Sequence, residues 1–200
     1  MIDGDKKQRN HILFVCCGNR ERSVIAENLF RRKIEEVCPQ LTTRVVVASA
    51  GIFPREYLKH ALENGLKFTY PLFGKNPNVY ALTYLARKGI DISSYRSRGL
   101  NKEMAGEADL ILAIDRLIKR EILFFYPETA GKIFTCREFV FGADCLNLDI
   151  GDPMKLPTLD ETTGAWVWPE DYPDTYIAEI QECIFQGFDK LMSCIKTVGQ

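Results

Sequence analysis

Residues 11–30 combine an apolar strand, a short loop and a helix in direct succession. Cys16 follows the apolar run over 11–15, five residues separate it from Arg22, and Ser23 leads into the helix. A loop of this length can turn its backbone N–H groups inward, and the helix that follows directs the positive end of its dipole at the same point. The order therefore predicts an oxyanion site at the carboxyl end of a first strand.

Three side chains of this loop have chemistry that suits a phosphoryl group. A thiolate is favoured near a helix N-terminus and beside arginine, so Cys16 is a candidate nucleophile toward phosphorus. Arg22 can contact two phosphate oxygens at once through its planar fork. Ser23 can donate a hydrogen bond to the thiolate, which makes the sulfur a better leaving group when a phosphoenzyme is hydrolysed.

The shape of the loop is predicted to depend on small and polar residues. Gly18 and Asn19 suit the positive φ angles that a tight anion-binding nest requires. We expect the Asn19 side chain, together with Ser49 at the end of the next strand, to fix the loop. The candidate phosphate-binding set is Cys17, Gly18, Asn19, Arg20, Glu21, Arg22 and Ser23.

Apolar runs alternate with helical periodicity along the chain, which is typical of a parallel α/β sheet. Strands are predicted at 11–15, 44–49, 109–114 and 132–136, and helices at 24–38, 77–88, 115–125 and after Asp174, the predicted N-cap of the last helix. The segment 54–76 is predicted to be irregular with a short helix near 57–64, and 142–173 to be mostly irregular. The pattern indicates a four-stranded, flavodoxin-like doubly wound parallel sheet with a ligand site at the end of strand one.

Composition limits the classes of partner and of cofactor. The chain has 200 residues, 46% of them hydrophobic, with 26 basic and 27 acidic side chains and a net charge of -1. This balance gives no support for a nucleic-acid or membrane partner, and no apolar stretch of about 18 residues occurs. Seven cysteines without C-x-x-C spacing and two distant histidines argue against a disulfide framework or a metal site. We expect a cytoplasmic monomer without cofactor, with a flexible tail over 1–10 and one domain over 11–200 that has inserts near 54–76 and 154–173.

Short segments spread over most of the chain resemble one family. They are 13–16, Gly18-Asn19, Arg22-Ser23, Ala26-Glu27, Ser49-Ala50-Gly51, 89–91, 96–98, 108–112 and 149–153. In this order they resemble the low-molecular-weight protein tyrosine phosphatases, and a shared order across so many segments is far more specific than the loop by itself. The resemblance implies the phosphotyrosine phosphatase I-like sheet, with Cys16 as nucleophile, Arg22 as phosphate clamp and Asp152 as general acid on an opposing loop.

The activity implied by this resemblance is hydrolysis of phosphotyrosine, in a protein or as a small aryl phosphate, through a phosphocysteine intermediate. Transfer from an aryl ester needs an in-line nucleophile, a positive clamp on the equatorial oxygens and a proton for the leaving phenolate. Cys16, Arg22 and Asp152 supply these, and inorganic phosphate or sulfate is expected to bind in the loop. Asp152 then acts as a base toward water when the intermediate is hydrolysed.

The loop departs from the family at the residue before the arginine, where a cysteine is usual and this chain has Glu21. At about 5 Å and an effective dielectric near 20, a carboxylate would cost roughly 3 kcal/mol per phosphate charge. The loop therefore needs Glu21 to point away or to be neutralised, for which Arg20 is the candidate partner. Cys17 beside Cys16 does not replace the missing cysteine, since a disulfide between adjacent residues is strained.

Two other functions stay open from the sequence. A carboxylate in the loop also fits a module that binds phosphate or phosphopeptides with weak or no turnover. An arsenate reductase uses a similar loop but needs a relay of two further cysteines. Residues 109–125 contain none, and Cys136 and Cys145 lie in a less suitable place.

The residues expected to line the substrate pocket also differ from the family habit. Phe53 or Tyr57 supplies the aromatic side chain that often follows Ser-Ala-Gly in the family. Met154 stands where a tyrosine often follows Asp-Pro. Trp166 and Trp168 belong to the extra stretch that comes next, and two positions stay open for them, at the border of the pocket or as a cap on the core from a long loop.

Overall fold

A computed structural model describes residues 9–63, 65, 72–151, 158–159, 166–167 and 172–195. Its main sheet has four parallel strands, β1 (Asn10–Cys16), β2 (Val45–Gly51), β3 (Leu110–Ala113) and β4 (Ile133–Thr135), in the spatial order β2-β1-β3-β4. The Asn10 N–H donates to the Arg44 carbonyl (2.9 Å), so β1 begins inside the stretch predicted as a flexible tail. The predicted α/β fold with a four-stranded parallel sheet is confirmed.

Helices connect the strands and cover the sheet. They are α1 (Arg22–Val37), α2 (Arg55–Glu63), α3 (Val79–Arg87), α4 (Lys102–Glu107), α5 (Arg116–Phe125), α6 (Cys136–Phe141), α7 (Tyr172–Gln186) and α8 (Phe188–Ser193). Short 3₁₀ turns at Pro39–Leu41 and Pro127–Thr129 precede β2 and β4. An antiparallel pair, β5 (Thr158–Leu159) with β6 (Trp166–Val167), lies within the stretch predicted to be mostly irregular. None of the helices in the described ranges has the length and apolar character that a membrane crossing requires.

The sheet is buried on both faces, because alternate residues of a strand point to opposite sides. Ile12 and Phe14 of β1 pack in one apolar cluster with residues of α1, α3, α7 and α8. Leu13 and Val15 pack in a second apolar cluster with residues of α5. Helices on both faces make the sheet doubly wound, as the sequence predicts.

The carboxyl ends of β1 and β2 lie side by side, with Cys16 opposite Gly51. The Gly51 N–H donates to the Arg98 carbonyl (2.9 Å), and the Gly51 carbonyl accepts from the Leu100 N–H (2.7 Å). The segment before α4 thus pairs with β2 at the end of the sheet where ligands bind in open α/β folds. Residues 16–23 and 97–100 therefore border the same end of the sheet.

Three boundaries differ from the sequence prediction, each for a local reason. The strand predicted over 132–136 ends at Thr135, because Thr135 and Glu138 form a capping box that starts α6. Asp174 is not the N-cap of the last helix but lies in its first turn, since α7 begins at Tyr172. The continuous last helix predicted from its apolar period is divided into α7 and α8 at Gly187.

Gly187 packs where a side chain has no space. A Cβ there would lie 2.5 Å from the Cys183 carbonyl oxygen and 2.5 Å from Cγ2 of Val140. We expect Gly187→Ala to lower the free energy of unfolding by about 1–3 kcal/mol, the usual cost of overpacking a core. Urea unfolding followed by circular dichroism measures this change.

Gly106→Ala is the matched control, because a Cβ at Gly106 in α4 meets no heavy atom within 4 Å. Alanine has a higher helix propensity than glycine, so Gly106→Ala should raise the free energy of unfolding by up to about 1 kcal/mol. Equal effects of the two substitutions would contradict the packing argument at Gly187.

Candidate active site

The chain turns between β1 and α1 and forms the loop over residues 16–23. Cys16 is the last residue of β1 and Arg22 the first of α1, so the loop opens directly onto a helix N-terminus. The Cys16 Sγ lies 2.9 Å from the Ser23 Oγ, and both residues are buried. At this distance the hydroxyl can donate to a thiolate, which strengthens the hydrogen bond.

Asn19 holds the loop in its turn. Its φ is 50°, and it is the one non-glycine residue with a positive φ in the part of the chain that the structure describes. The amide nitrogen donates to Ser23 Oγ (3.1 Å) and to Ser49 Oγ (2.9 Å). The amide oxygen accepts from the Tyr95 hydroxyl (2.6 Å) and from the Arg98 N–H (2.9 Å). One side chain thus ties α1, β2 and the segment before α4 to the loop.

A buried glutamate extends this hydrogen-bond network. Glu27, on α1, is 3% exposed and accepts a hydrogen bond from the Ser49 hydroxyl (2.5 Å) and another from Arg31 (2.5 Å). Because Ser49 gives its hydrogen to Glu27, its oxygen accepts from Asn19, and this sets the direction of the amide. Burial raises the pKa of Tyr95, which keeps its hydroxyl protonated as a donor to the same amide.

Arg22 is oriented by a residue whose role was not evident from the sequence. Its Nη1 donates to Asp115 Oδ2 (3.0 Å) and to the Ile150 carbonyl (3.3 Å). Asp115 is also the N-cap of α5, because its Oδ1 accepts from the Ile118 N–H (2.8 Å). One carboxylate therefore starts a helix and orients the candidate phosphate clamp. The available signal was an aspartate placed directly after an apolar strand.

Glu21 is buried, and its hydrogen-bond partners differ from the predicted partner, Arg20. Its carboxylate accepts from the Asn78 amide (3.0 Å) at the start of α3 and from the Tyr176 hydroxyl of α7. Arg20 is exposed, and its Nε donates to the Asn76 carbonyl (2.8 Å) instead of pairing with Glu21. The expected neutralisation by Arg20 is therefore wrong, because the side chains of α3 and α7 reach the carboxylate.

The two residues after Cys16 differ in their surroundings. Cys17 is buried and packs in the second apolar cluster, and neither Cys16 nor Cys17 forms a disulfide. Gly18 has no positive φ, so the left-handed turn predicted at Gly18 and Asn19 is restricted to Asn19. The side-chain network of Asn19 supplies the stabilisation that lets a non-glycine residue adopt this conformation.

An aromatic pair borders the loop. A Cβ at Gly51 would lie 2.6 Å from the Cys17 carbonyl oxygen and 2.7 Å from Cε1 of Phe73. A Cβ at Gly99 would lie 2.8 Å from the same ring. The Phe73 ring therefore packs against the backbone at Gly51 and at Gly99. Gly51 also lies against the loop backbone at Cys17. Phe53 packs against Phe73, with ring centroids 5.6 Å apart.

Only some of the other residues predicted for the site belong to the described part of the chain. Tyr57 packs at the edge of the second apolar cluster. Asp152, Met154, Trp168 and the Trp166 side chain lie outside the described residues. Among the residues that are described, no group of three histidine, cysteine, aspartate or glutamate side chains is placed to hold a metal ion. The described part of the site thus comprises the loop, its supports and one aromatic wall.

The chain is similar in sequence to known proteins. The family profile described as low molecular weight phosphotyrosine protein phosphatase matches residues 11–163. A protein-arginine-phosphatase of Geobacillus stearothermophilus is 36% identical over 146 residues, which are 73% of this chain and 80% of the relative. A probable low molecular weight protein-tyrosine-phosphatase, EpsP, of Ralstonia nicotianae is 33% identical over 165 residues, which are 78% of this chain and 92% of the relative.

Solved structures are similar as well. The YwlE arginine phosphatase from Geobacillus stearothermophilus superposes with a TM-score of 0.65 at 29% identity, covering 92% of this chain and 94% of that one. The low molecular weight protein tyrosine phosphatase from T. tengcongensis gives a TM-score of 0.64 at 30% identity, with 90% and 99% covered. The resemblance inferred from the short segments is confirmed, and the chain belongs to the low molecular weight phosphotyrosine protein phosphatase family.

Proposed function

We propose that this protein is a cysteine-dependent phosphatase that hydrolyses phosphotyrosine, in proteins or as small aryl phosphates, through a phosphocysteine intermediate. Cys16 is the nucleophile, Arg22 the phosphate clamp and Asp152 the general acid. The observation that carries the proposal is the 2.9 Å contact of Cys16 Sγ with Ser23 Oγ, in a loop whose arginine is held by Asp115. Nucleophile, donor and clamp then converge at one helix N-terminus.

In the first step the loop N–H groups and the Arg22 guanidinium bind the phosphoryl oxygens, and the Cys16 thiolate attacks phosphorus in line with the leaving oxygen. A sulfur–phosphorus bond forms while the phosphorus–oxygen ester bond breaks. Asp152 gives its proton to the departing phenolate. This role is supported by the Ile150 carbonyl, which accepts from Arg22 at 3.3 Å only two residues before Asp152.

In the second step a water molecule attacks the phosphocysteine. The sulfur–phosphorus bond breaks, the Asp152 carboxylate takes a proton from the water, and the Ser23 hydroxyl donates to the leaving thiolate. Phosphate departs, and Cys16 and Asp152 return to their starting states. The nucleophile must stay reduced between cycles, and the free thiols of the chain suit the reducing cytoplasm, where we place the enzyme.

The surroundings of Glu21 favour turnover over a module that only binds phosphate. Its carboxylate accepts hydrogen bonds from Asn78 and Tyr176, which belong to elements outside the loop. The carboxylate that motivates the binding-only alternative therefore has hydrogen-bond donors outside the loop.

Buried cysteines disfavour an arsenate reductase relay. Burial raises the pKa of the Cys136 thiol well above its ordinary value and raises that of Cys183 to about 12. Thiols with such pKa values are protonated at neutral pH and are poor nucleophiles. The Cys145 thiol donates to the Asn147 carbonyl (3.2 Å) and so has a local structural role.

The aromatic residues beside the loop bear on which phosphorylated side chain the enzyme prefers. The ring pair of Phe53 and Phe73 supports phosphotyrosine, because an aryl ring packs well against aromatic edges and faces. Phosphoarginine is the second candidate, since the relative that is 36% identical is named a protein-arginine-phosphatase. A guanidinium group can also lie over an aromatic face, so activity on the two substrates must be compared directly.

Substitution of the nucleophile tests the reaction type. We expect Cys16→Ser to lower kcat for p-nitrophenyl phosphate by roughly a thousandfold or more, because the hydroxyl is not ionised at neutral pH. Cys194→Ser, at an exposed cysteine at the end of α8, is the control and should match the wild type. Wild-type turnover by the Cys16 variant would rule out the covalent mechanism.

Asp152→Asn tests general acid catalysis through its dependence on the leaving group. Loss of the proton donor should lower kcat for phenyl phosphate by about 10²–10⁴-fold. The loss should be smaller for p-nitrophenyl phosphate, because its phenolate leaves more readily without a proton. Steady-state kinetics with both esters measure the difference, and an equal loss would argue that Asp152 is not the acid.

The aromatic wall is tested by substrate selectivity. We expect kcat/KM to be higher for a phosphotyrosine peptide than for the matching phosphoarginine peptide. Phe73→Ala should raise KM for the phosphotyrosine peptide by about 2–10-fold, the value of one aromatic contact. Phe185→Ala, at an exposed ring on α7, is the control. A higher kcat/KM for phosphoarginine would assign the second candidate substrate.

A further inference from the structure

Helix α7 reaches the active site through two side chains on one face. Tyr176, which is 2% exposed, donates its hydroxyl hydrogen to the Glu21 carboxylate. Glu179 accepts a hydrogen bond from the Gly151 N–H (2.7 Å). Helix residues three positions apart are neighbours, so both contacts come from one surface of α7.

These two contacts involve the residue before Arg22 and the residue after one acceptor of its guanidinium. Glu21 precedes Arg22 in the chain, and the Arg22 guanidinium donates to the Ile150 carbonyl at 3.3 Å. Gly151, whose N–H is held by Glu179, follows Ile150 directly. The side chain of the residue before the arginine and the backbone next to an acceptor of its guanidinium are therefore both hydrogen-bonded to α7.

Glu21 is an unusual residue to bury beside an anion site, and its burial depends on its donors. It is 7% exposed, and it accepts from the Asn78 amide at 3.0 Å as well as from α7. The Asn78 N–H also donates to the Arg20 carbonyl (2.8 Å), so the same residue holds the loop backbone. Removal of one donor leaves a buried carboxylate with unmet hydrogen-bonding capacity, which is costly.

We propose that Glu21, Tyr176 and Glu179 are positioning residues for Arg22. One α7 side chain holds the residue before the arginine, the other holds the backbone next to the Ile150 carbonyl, and together they keep the guanidinium directed at the phosphoryl group. The inference rests on the proposed function, because it takes Arg22 as the phosphate clamp. The carboxylate of Glu21 then serves as an anchor, and the repulsion from its charge is offset by the rigidity that it gives the loop.

Two substitutions at one position separate the anchor from the charge. Glu21→Gln removes the charge but keeps an acceptor for Asn78 and a group that can bond to the Tyr176 hydroxyl. Glu21→Ala removes both the charge and the anchor. If charge were the only effect, both variants would bind an oxyanion more tightly than the wild type, and to the same extent. Anchoring predicts that Glu21→Ala binds at least about fivefold more weakly than Glu21→Gln.

Tyr176→Phe tests the contact with α7 by removal of one oxygen atom, and Tyr84→Phe is its matched control. The Tyr84 hydroxyl is also buried, but it has no hydrogen-bond partner among the residues that the structure describes. Isothermal titration calorimetry with tungstate measures oxyanion affinity, and the unfolding temperature of each variant is recorded alongside. We expect Tyr176→Phe to bind tungstate about fivefold more weakly or worse, while Tyr84→Phe matches the wild type.

Kinetics and the second α7 residue give independent readouts. A loosely held Arg22 loses contacts that strengthen in the transition state, so Tyr176→Phe should lower kcat more than it raises KM.

Glu179→Ala should weaken tungstate binding, and Glu179→Gln, which keeps an acceptor for the Gly151 N–H, should restore it. Glu182→Ala is the control on the same helix, because Glu182 pairs with Arg137 (3.3 Å) away from the loop.

The outcomes separate this inference from the proposed function. Wild-type tungstate affinity in Tyr176→Phe, or equal affinities of Glu21→Ala and Glu21→Gln, overturns the inference. A wild-type protein that binds tungstate but hydrolyses no phosphate ester overturns the proposed function instead and leaves the binding comparison intact. Tyr176→Phe lacks a single oxygen, so it carries the test even where Glu21→Ala does not fold.

Discussion

The four hydrogen bonds of the Asn19 amide are the constraint on which the rest of the site depends. A positive φ is unfavourable for most side chains, and asparagine tolerates it better than others. Here the amide bonds to the nearby Ser23 hydroxyl at the start of α1 and to two parts of the chain that are distant in sequence, the Ser49 hydroxyl of β2 and the segment 95–98. Ser49 reaches Asn19 only because β2 is paired in register with β1. The shape of the nucleophile loop is therefore a product of sheet pairing as much as of its own residues.

Acidic side chains, of which Glu21 and Glu27 are buried, lie around the loop that we propose binds a phosphoryl group. Asp115 pairs with Arg22, Glu27 accepts from Arg31, and Glu21 accepts from a tyrosine and an asparagine. Each negative charge weakens anion binding by repulsion, yet each also fixes a donor or a turn that the site needs. Stabilisation of a transition state depends on donors that are already in place, so a rigid frame can outweigh the electrostatic cost.

Local patterns predict the four strands of the main sheet, the loop and most helices, including α2 near 57–64, but not the antiparallel pair of β5 and β6. Helix α6 is absent from the sequence prediction, because it begins directly after the strand that ends at Thr135, with no turn residue between them. The contacts that orient the site could not be predicted, since Asp115 and Arg22 are 93 positions apart and Tyr176 and Glu21 are 155 apart. Periodicity identifies buried faces, but it does not pair one distant polar side chain with another.

The ring of Phe73 lies against Gly51 and Gly99, two positions without a side chain. The wall beside the loop is thus supplied by a segment that shares no residue with the nucleophile loop or with the Asn19 network. In the enzyme that we propose, a change at Phe73 alters the group that fits beside the phosphate without a change in Cys16 or Arg22. Selectivity and chemistry then depend on separate parts of the chain.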